Sequence, residues 1–374
     1  MSLTHDQLRQ TIQDGDAIDN QTVGPLDLTH GDLSGGLFAN VTFDGTRLAH
    51  ARMNECVFND CVFNGVDLSH ADLSKSVFVN GEWTRTTLAH STLDDCRFTG
   101  TRATSTPFTN AHAARVAFLE CDLSDCRFDA AQLERACFDR TSMKGADWSD
   151  AVVSQTLFYR LDLRDVRFTQ SRFDRAIFSE SNMAAQVFRG HRFERCQFIR
   201  TDLRGADFTS AQLPYCNFQG AELGHAVLDD AYAPFANFYA AHAKHARWRG
   251  ARLPNSIWVE AHVEHGDFSH ADLSGAVFQR TEASAARFTG AHLDGTDFSA
   301  ARLDHADFND ARFERTRFDG AHFHADDTRA SSAWHDQPGI ARPDDAADAA
   351  RAWSARRDER LSSARPLPSR IDRP

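Results

Sequence analysis

The sequence has little tyrosine, methionine or tryptophan: 4 Tyr, 4 Met and 6 Trp in 374 residues. It has no run near the ~18 apolar residues that a membrane-spanning helix needs, so no membrane span is expected. It has no excess of positive charge. The formal net charge is -12, which argues against a nucleic-acid binder that neutralises phosphates. Its 8 cysteines contain no C-x-x-C and no zinc-finger spacing. There is no phosphate-binding G-x-x-x-x-G-K-[ST], no dinucleotide fingerprint, no H-E-x-x-H and no G-x-S-x-G. No cofactor, no metal and no catalytic residue is therefore assigned. The opening MSLTHDQLRQTIQDGD lacks a basic stretch and an apolar stretch, so no signal peptide and a cytoplasmic location are expected.

Against these absences stand 29 phenylalanines. Every residue whose number ends in 3 or 8 is apolar from Leu28 to Phe323, a run of 60 pentapeptides. Of the 29 Phe, 28 lie in this frame and only Phe235 does not. Two residues earlier stands a small residue almost throughout; Leu26, Leu161, Gln186 and His191 depart from that rule. Neither a helix of period 3.6 nor a flat strand of period 2 explains a period of five. A coil built from five-residue sides does. Each side sends one large and one small side chain inward and then turns a corner.

Ala71-Asp72-Leu73-Ser74-Lys75, Ala271-Asp272-Leu273-Ser274-Gly275 and Ala206-Asp207-Phe208-Thr209-Ser210 resemble the A(D/N)LXX unit of the pentapeptide-repeat family. The resemblance covers residues 26–325. It implies an all-β solenoid: a right-handed quadrilateral parallel β-helix of about 15 coils, four pentapeptides to a coil. At the ~4.8 Å strand spacing such a rod is about 70 Å long. Every twentieth residue would then stack. The column Phe38, Phe58, Phe78, Phe98, Phe118, Phe138, Phe158, Phe178, Phe198, Phe218, Phe238, Trp258, Phe278, Phe298 and Phe318 is aromatic throughout and predicts a core ladder of rings. Ala103, Ala113, Ala233, Ala243 and Ala283 at central positions predict coils that are thinner inside and easier to bend.

The ends fall outside the frame, giving a lead-in at 1–25, a repeat body at 26–325 and a tail at 326–374. Thr4-His5-Asp6-Gln7 reads as a capping box, with Leu3 and Leu8 as its staple, so a short capping helix should run to about Gln13. Asp344–Leu361, with acids first and Arg late, favours a C-terminal helix anchored by Trp353. The last ten residues read as a disordered tail.

Most polar residues fit solvated corners. Seven cysteines occupy the inward small position; Cys137 points outward and is the one candidate for reactivity. His30, His50, His70 and His90 share one corner, and His225, His245, His265 and His305 another, beside His242 and His262. They read as solvated corners, with a pH-sensitive surface or a metal site as alternatives. The column Asp27, Arg47, Asp67, continued by Arg127, Asp147, Arg167 and by Arg247, Asp267, Arg287, Asp307, alternates in sign and predicts cross-coil pairs.

Two groups are candidates for protein interaction. Leu37, Val57, Val77, Leu157, Ile177, Ile257 and Val277 form an outward apolar column, with Val79, Leu119, Tyr159, Ile199, Tyr239 and Val259 as companions. Strand propensity alone is the plain explanation. The alternative is that the C-terminal helix, a second copy or a partner covers it. Tyr215, Tyr232 and Phe235 project beside Pro214, Pro234 and Pro254, either as a binding platform or as a locally reshaped corner.

The expected function is a non-enzymatic scaffold for protein–protein interaction, self-association into a homodimer included. The resemblance implies, through the lead-in Asp14-Gly15 and Gly24-Pro25-Leu26-Asp27-Leu28, an accessory or secreted component of a bacterial type VI secretion system. The alternative it implies is a DNA mimic that binds and protects a type II topoisomerase, DNA gyrase. That would need continuous acidic faces, which arginines interrupt here. An enzyme ranks last, because a filled solenoid leaves no pocket.

Overall fold

A computed structural model describes residues 3–324. The anticipated C-terminal helix at Asp344–Leu361 lies outside the described residues. A helix, His5–Gln13, opens the chain. Thr4 caps it through both hydrogen bonds of the expected capping box. Leu8 is buried, and Leu3 and Ile12 pack against the first coil.

The described residues from Ala17 onward form an all-parallel β-solenoid with four walls. The first wall carries a nine-stranded sheet from Ala17–Asp19 to Ile177–Ser179, in which each residue pairs with the one twenty positions on, as Phe38 with Phe58. The second wall has four strands, from Thr22–Val23 to Glu82–Thr84. The fourth has five, from His112–Ala114 to Arg192–Glu194. The third, between Leu28 and Phe308, is held by single bridges such as Asp27 to Arg47. Regular strands thus span fewer coils than the fifteen expected. Beyond Glu194 every side is one bridging residue and a turn, in unchanged register to His322. The first coil begins at Ala17, inside the segment read as lead-in.

The corner explains this form. The fifth residue of nearly every side is left-handed, at φ +47° to +74°, and most of these residues are not glycine. A non-glycine residue there costs about 1 kcal/mol. The corner gains in return an amide bond to the next coil, as His30 N–H donates to Ala49 O at 3.0 Å. Large residues fill the axis. The first-wall rings stack almost parallel, Phe38 on Phe58 at 4.8 Å and 3° and Phe298 on Phe318 at 5.2 Å and 5°. Across the axis Phe128 meets Phe138 edge to face at 6.1 Å.

The coils of Ala233 and Ala243 are not thin. Ala233 and Ala243 are fully buried, and Trp248 and Trp258 pack edge to face at 5.2 Å in the same stretch. Two indoles supply the volume that two alanines leave, because a core is packed by total volume.

The real irregularity lies at the departures from the small-residue rule. Among the described residues no bridge joins Ser142 to Asp162 or Arg167 to Val187. Leu161 and Gln186 sit at these gaps, whereas the wall that carries His191 keeps its ladder, Arg172 pairing with Arg192. Trp148 and Phe168 are 6.5 Å apart and tilted by 49°, where Phe108 and Phe128 stack at 4.7 Å. Gln186 Nε2 donates to Leu163 O at 2.6 Å, Arg164 O at 3.0 Å and Val166 O at 2.8 Å. His191 Nε2 donates to Phe168 O at 2.7 Å. Gln186 wedges the coils apart and replaces, at Val166 O, the Val187 amide that it displaces. Gln186→Ala frees Val166 O for the Val187 amide, so its thermal midpoint should match or exceed the wild type. Gln186→Leu keeps the wedge without a donor and should lose about 1–3 kcal/mol in denaturant melts. Equal losses in both variants would refute the wedge.

Candidate functional site

The core ladder fills the axis, so among the described residues a site must lie on the walls, the corners or the ends of the rod. At that end the helix and first coils enclose a cleft of about 470 Å³, with Leu8, Leu28 and Leu33 at its base and His5, Arg9, His30 and Asp32 among its lining. Among the described residues no group of three or more His, Cys, Asp or Glu side chains could hold a metal ion.

The aromatic corner is built on ordinary turns. Cys216 N–H donates to Leu213 O, Ala236 N–H to Ala233 O and Ser256 N–H to Leu253 O, each at 3.3 Å, the bond that closes most other turns. Pro214, Pro234 and Pro254 occupy the first central position of these turns, which suits proline. The corner is therefore not reshaped. What is unusual is the next residue. Tyr215 and Phe235 hold φ of +57° and +56°, a conformation that suits Gly, Asn or Asp far better. They stack at 5.2 Å and 3° and remain 52% and 49% exposed. Tyr232 lies on the adjoining fourth wall, half-buried, and Pro234 is buried beside it.

Two arginines complete this patch, and sequence reasoning missed both. Arg195 lies 5.6 Å over the Tyr215 ring and Arg252 lies 5.2 Å over Tyr232. The available signal was a spacing of twenty residues between arginine and tyrosine. Val152 and Val187, 47% and 59% exposed, were also missed, because polar residues flank each of them in its column.

The apolar column lies where expected, on the outside of the first wall. Leu37, Val57 and Ile257 are exposed, while Val77, Leu157, Ile177 and Val277 are half-buried by their neighbours in the stack. Tyr215 and Phe235 sit on the corner bordering this wall. The structure thus joins the two candidate groups along one edge, which the sequence did not show.

The alternating charge column closes only in part. Arg47 meets Asp27 at 2.7 Å, Arg167 meets Asp147 at 3.0 Å and Arg287 meets Asp267 at 3.2 Å. Arg127 turns instead to Asp129 at 3.1 Å, and Arg247 pairs with Asp229. The Arg47 guanidinium and the Thr29 hydroxyl hold the Asp27 carboxyl well below the usual range. Such exposed pairs contribute little stability each.

The histidines stack. His30, His50, His70 and His90 lie 4.8, 4.6 and 4.7 Å apart, and His225, His245 and His265 lie 5.0 and 4.9 Å apart. Desolvation, then the charges of His50 and His90, push the His70 pKa down, against the pull of Asp67. A group whose folded pKa is lowered binds fewer protons when folded, so stability falls as pH drops through the imidazole range. The thermal midpoint should therefore decline between about pH 7.5 and pH 5. His70→Asn, which suits the left-handed corner, should flatten that decline. An unchanged slope would show that the ladder does not cause it.

Burial pushes the thiols of Cys56 and Cys61 up to about 12 and about 11. Cys137 is half-buried, and its pKa is also raised, by burial and by Asp139. It is accessible but not activated. Thiol labelling of the folded chain should modify Cys137 alone and slowly, and all eight only after unfolding; labelling of a second cysteine under native conditions would contradict the buried assignment.

Comparison with known proteins agrees with this geometry. A profile of the pentapeptide repeat region matches residues 32–108 and 91–168. A profile of pentapeptide repeats in eight copies matches 192–230, 259–295 and 296–324. This chain belongs to the pentapeptide-repeat family. Solved pentapeptide-repeat structures are similar to it. HetL, involved in heterocyst differentiation regulation in the cyanobacterium Nostoc, is 16% identical, with 86% of this chain and 96% of HetL covered and a TM-score of 0.23. QnrB1, a plasmid-mediated fluoroquinolone resistance protein, is 16% identical over 60% of this chain and 96% of its own, with a TM-score of 0.27. Rfr23 from the cyanobacterium Cyanothece is 18% identical over 33% of this chain and 91% of its own, with a TM-score of 0.21. A search of curated protein sequences gives no match. No helix among the described residues is long and apolar enough to cross a membrane.

Proposed function

We propose that this pentapeptide-repeat chain is a non-enzymatic scaffold that recruits a protein partner through the corner formed by Tyr215, Phe235 and Tyr232. One observation carries the reading. Two aromatic residues occupy left-handed corners where Asn or Gly would be about 1 kcal/mol better each, and both remain half exposed. Folding gains little from this arrangement. Binding does, because rigid exposed aromatics beside arginine are typical interface anchors. Arg252 adds positive charge that suits a partner segment with an acidic side chain next to an apolar one, while Arg195 is paired with Glu194 at 3.3 Å.

Service to a bacterial type VI secretion system, as accessory or as cargo, is the finer part of this proposal and is supported only by the likeness of the lead-in segment. The DNA-mimic reading has less support. Phosphate mimicry needs unbroken negative faces, and Arg47, Arg167 and Arg287 are each paired with an acid on one wall.

The test separates binding from folding. Tyr215→Asn with Phe235→Asn relieves the corners, so its thermal midpoint should equal or exceed that of the wild type. Affinity capture with the full chain from host extract, read by mass spectrometry, should lose the partner in the same variant. An unchanged set of captured proteins would overturn the corner as the binding site.

A further inference from the structure

We propose that the first wall is a self-association surface, on which a second copy of this chain docks face to face and antiparallel. The two-fold axis crosses the rod midway between Leu157 and Ile177. This surface is separate from the partner-binding residues of the corner, although it borders them.

The wall is unlike its neighbours. Along the outward column from Ala17 to Arg317 only Arg97, Asp297 and Arg317 are charged. The equivalent column of the third wall is charged at most levels, as in Asp27, Arg47, Asp67 and Arg127. Nine paired strands as far as Ile177–Ser179, and single bridges in the same register from there to Arg317, hold the wall as one platform. An apolar strip of this length on a rigid sheet favours a partner that is equally long, flat and uncharged. A second copy meets all three conditions.

The order of residues along the strip sets the orientation. A two-fold axis lying in the interface and across the rod sets each column against itself, read in the opposite direction. Leu157 then faces Ile177, Val77 faces Ile257, and Val57 faces Val277 of the second copy. Between them Cys137 faces Gln197, Ala117 faces Asn217, and Arg97 faces Asn237. No like charges meet in this column; in the companion column Asp19 faces Asp319 at the two ends. In the companion column Val79 faces Val259. Asp139 faces Ile199, with its carboxylate turned aside to Arg140 at 3.3 Å. Leu37 against Asp297 is the one poor pair in the first column, and it lies at the end. At ~4.8 Å per coil the strip is about 60 Å long, and at about 10 Å wide it buries roughly 1,200 Å² over both copies, the lower edge of a standard stable interface.

The experiment uses the full chain. Sedimentation over a dilution series should give twice the monomer mass for the wild type. Val77→Asp with Ile257→Asp sets carboxylates against each other at two levels and should give a monomer. This column already carries Asp297, so the variant should melt as the wild type does. Orientation is read by cross-linking. Cys137 is the only cysteine that is not buried. With copper–phenanthroline as oxidant, Gln197→Cys should yield a disulfide-linked dimer that disappears when Cys137→Ala is added. A wild type that stays monomeric at every concentration overturns the proposal, as does a dimer that survives the double aspartate variant. Cross-linking that persists without Cys137 overturns the antiparallel register. None of these results bears on capture by the aromatic corner, whose variants are different.

Discussion

The structure depends on stacking every twentieth residue at one coil's separation. Each apolar side chain is buried by the residue above and the residue below, and no side has a core of its own. Stability in such a rod is close to a sum of nearest-neighbour terms. The first-wall rings show the consequence: pairs of nearly parallel Phe recur along the axis at about the same distance. The same constraint removes the interior as a site and leaves function to the outside.

The corner is the second constraint. A side of five residues closes only if its last residue turns left-handed, and the chain accepts that strain at His, Asp, Asn and Arg alike. Repetition makes the strain tolerable, because nearly every corner amide bonds to the next coil. Tyr215 and Phe235 stand out against this background. They carry the same strain with bulky rings, and their rings are not used to fill the core. The imidazole stacks have the opposite character. Histidine tolerates the left-handed corner well, and its recurrence at corners needs no function beyond geometry.

Local departures from the repeat have identifiable causes. Leu161 and Gln186 are too large for the inward small position, and the bridge between coils is lost there rather than a clash buried; His191 stays half-buried and its wall keeps its ladder. Gln186 carries a donor that satisfies the Val166 carbonyl left without its backbone partner. The alanine coils show the reverse adjustment. Small residues on two walls are offset by Trp248 and Trp258 on the other two. Volume is therefore balanced around a coil and not along a single column, which is why reading Ala233 and Ala243 column by column suggested a thin interior.

The sequence alone determined the period, the inward residues, the aromatic ladder and the capping helix. Each follows from short-range pattern: one large and one small residue per side, or one capping box. The outward apolar column and the three aromatic candidates were also legible, because a strict frame tells which residues point out. Tertiary structure decided what the frame cannot express. It placed the aromatic corner against the apolar wall, brought Arg195 and Arg252 over Tyr215 and Tyr232, and turned Arg127 and Arg247 away from their expected partners. It also started the first coil at Ala17, ahead of the recognisable frame. These features depend on side-chain direction at a corner and on contacts between coils, which a one-dimensional repeat does not specify.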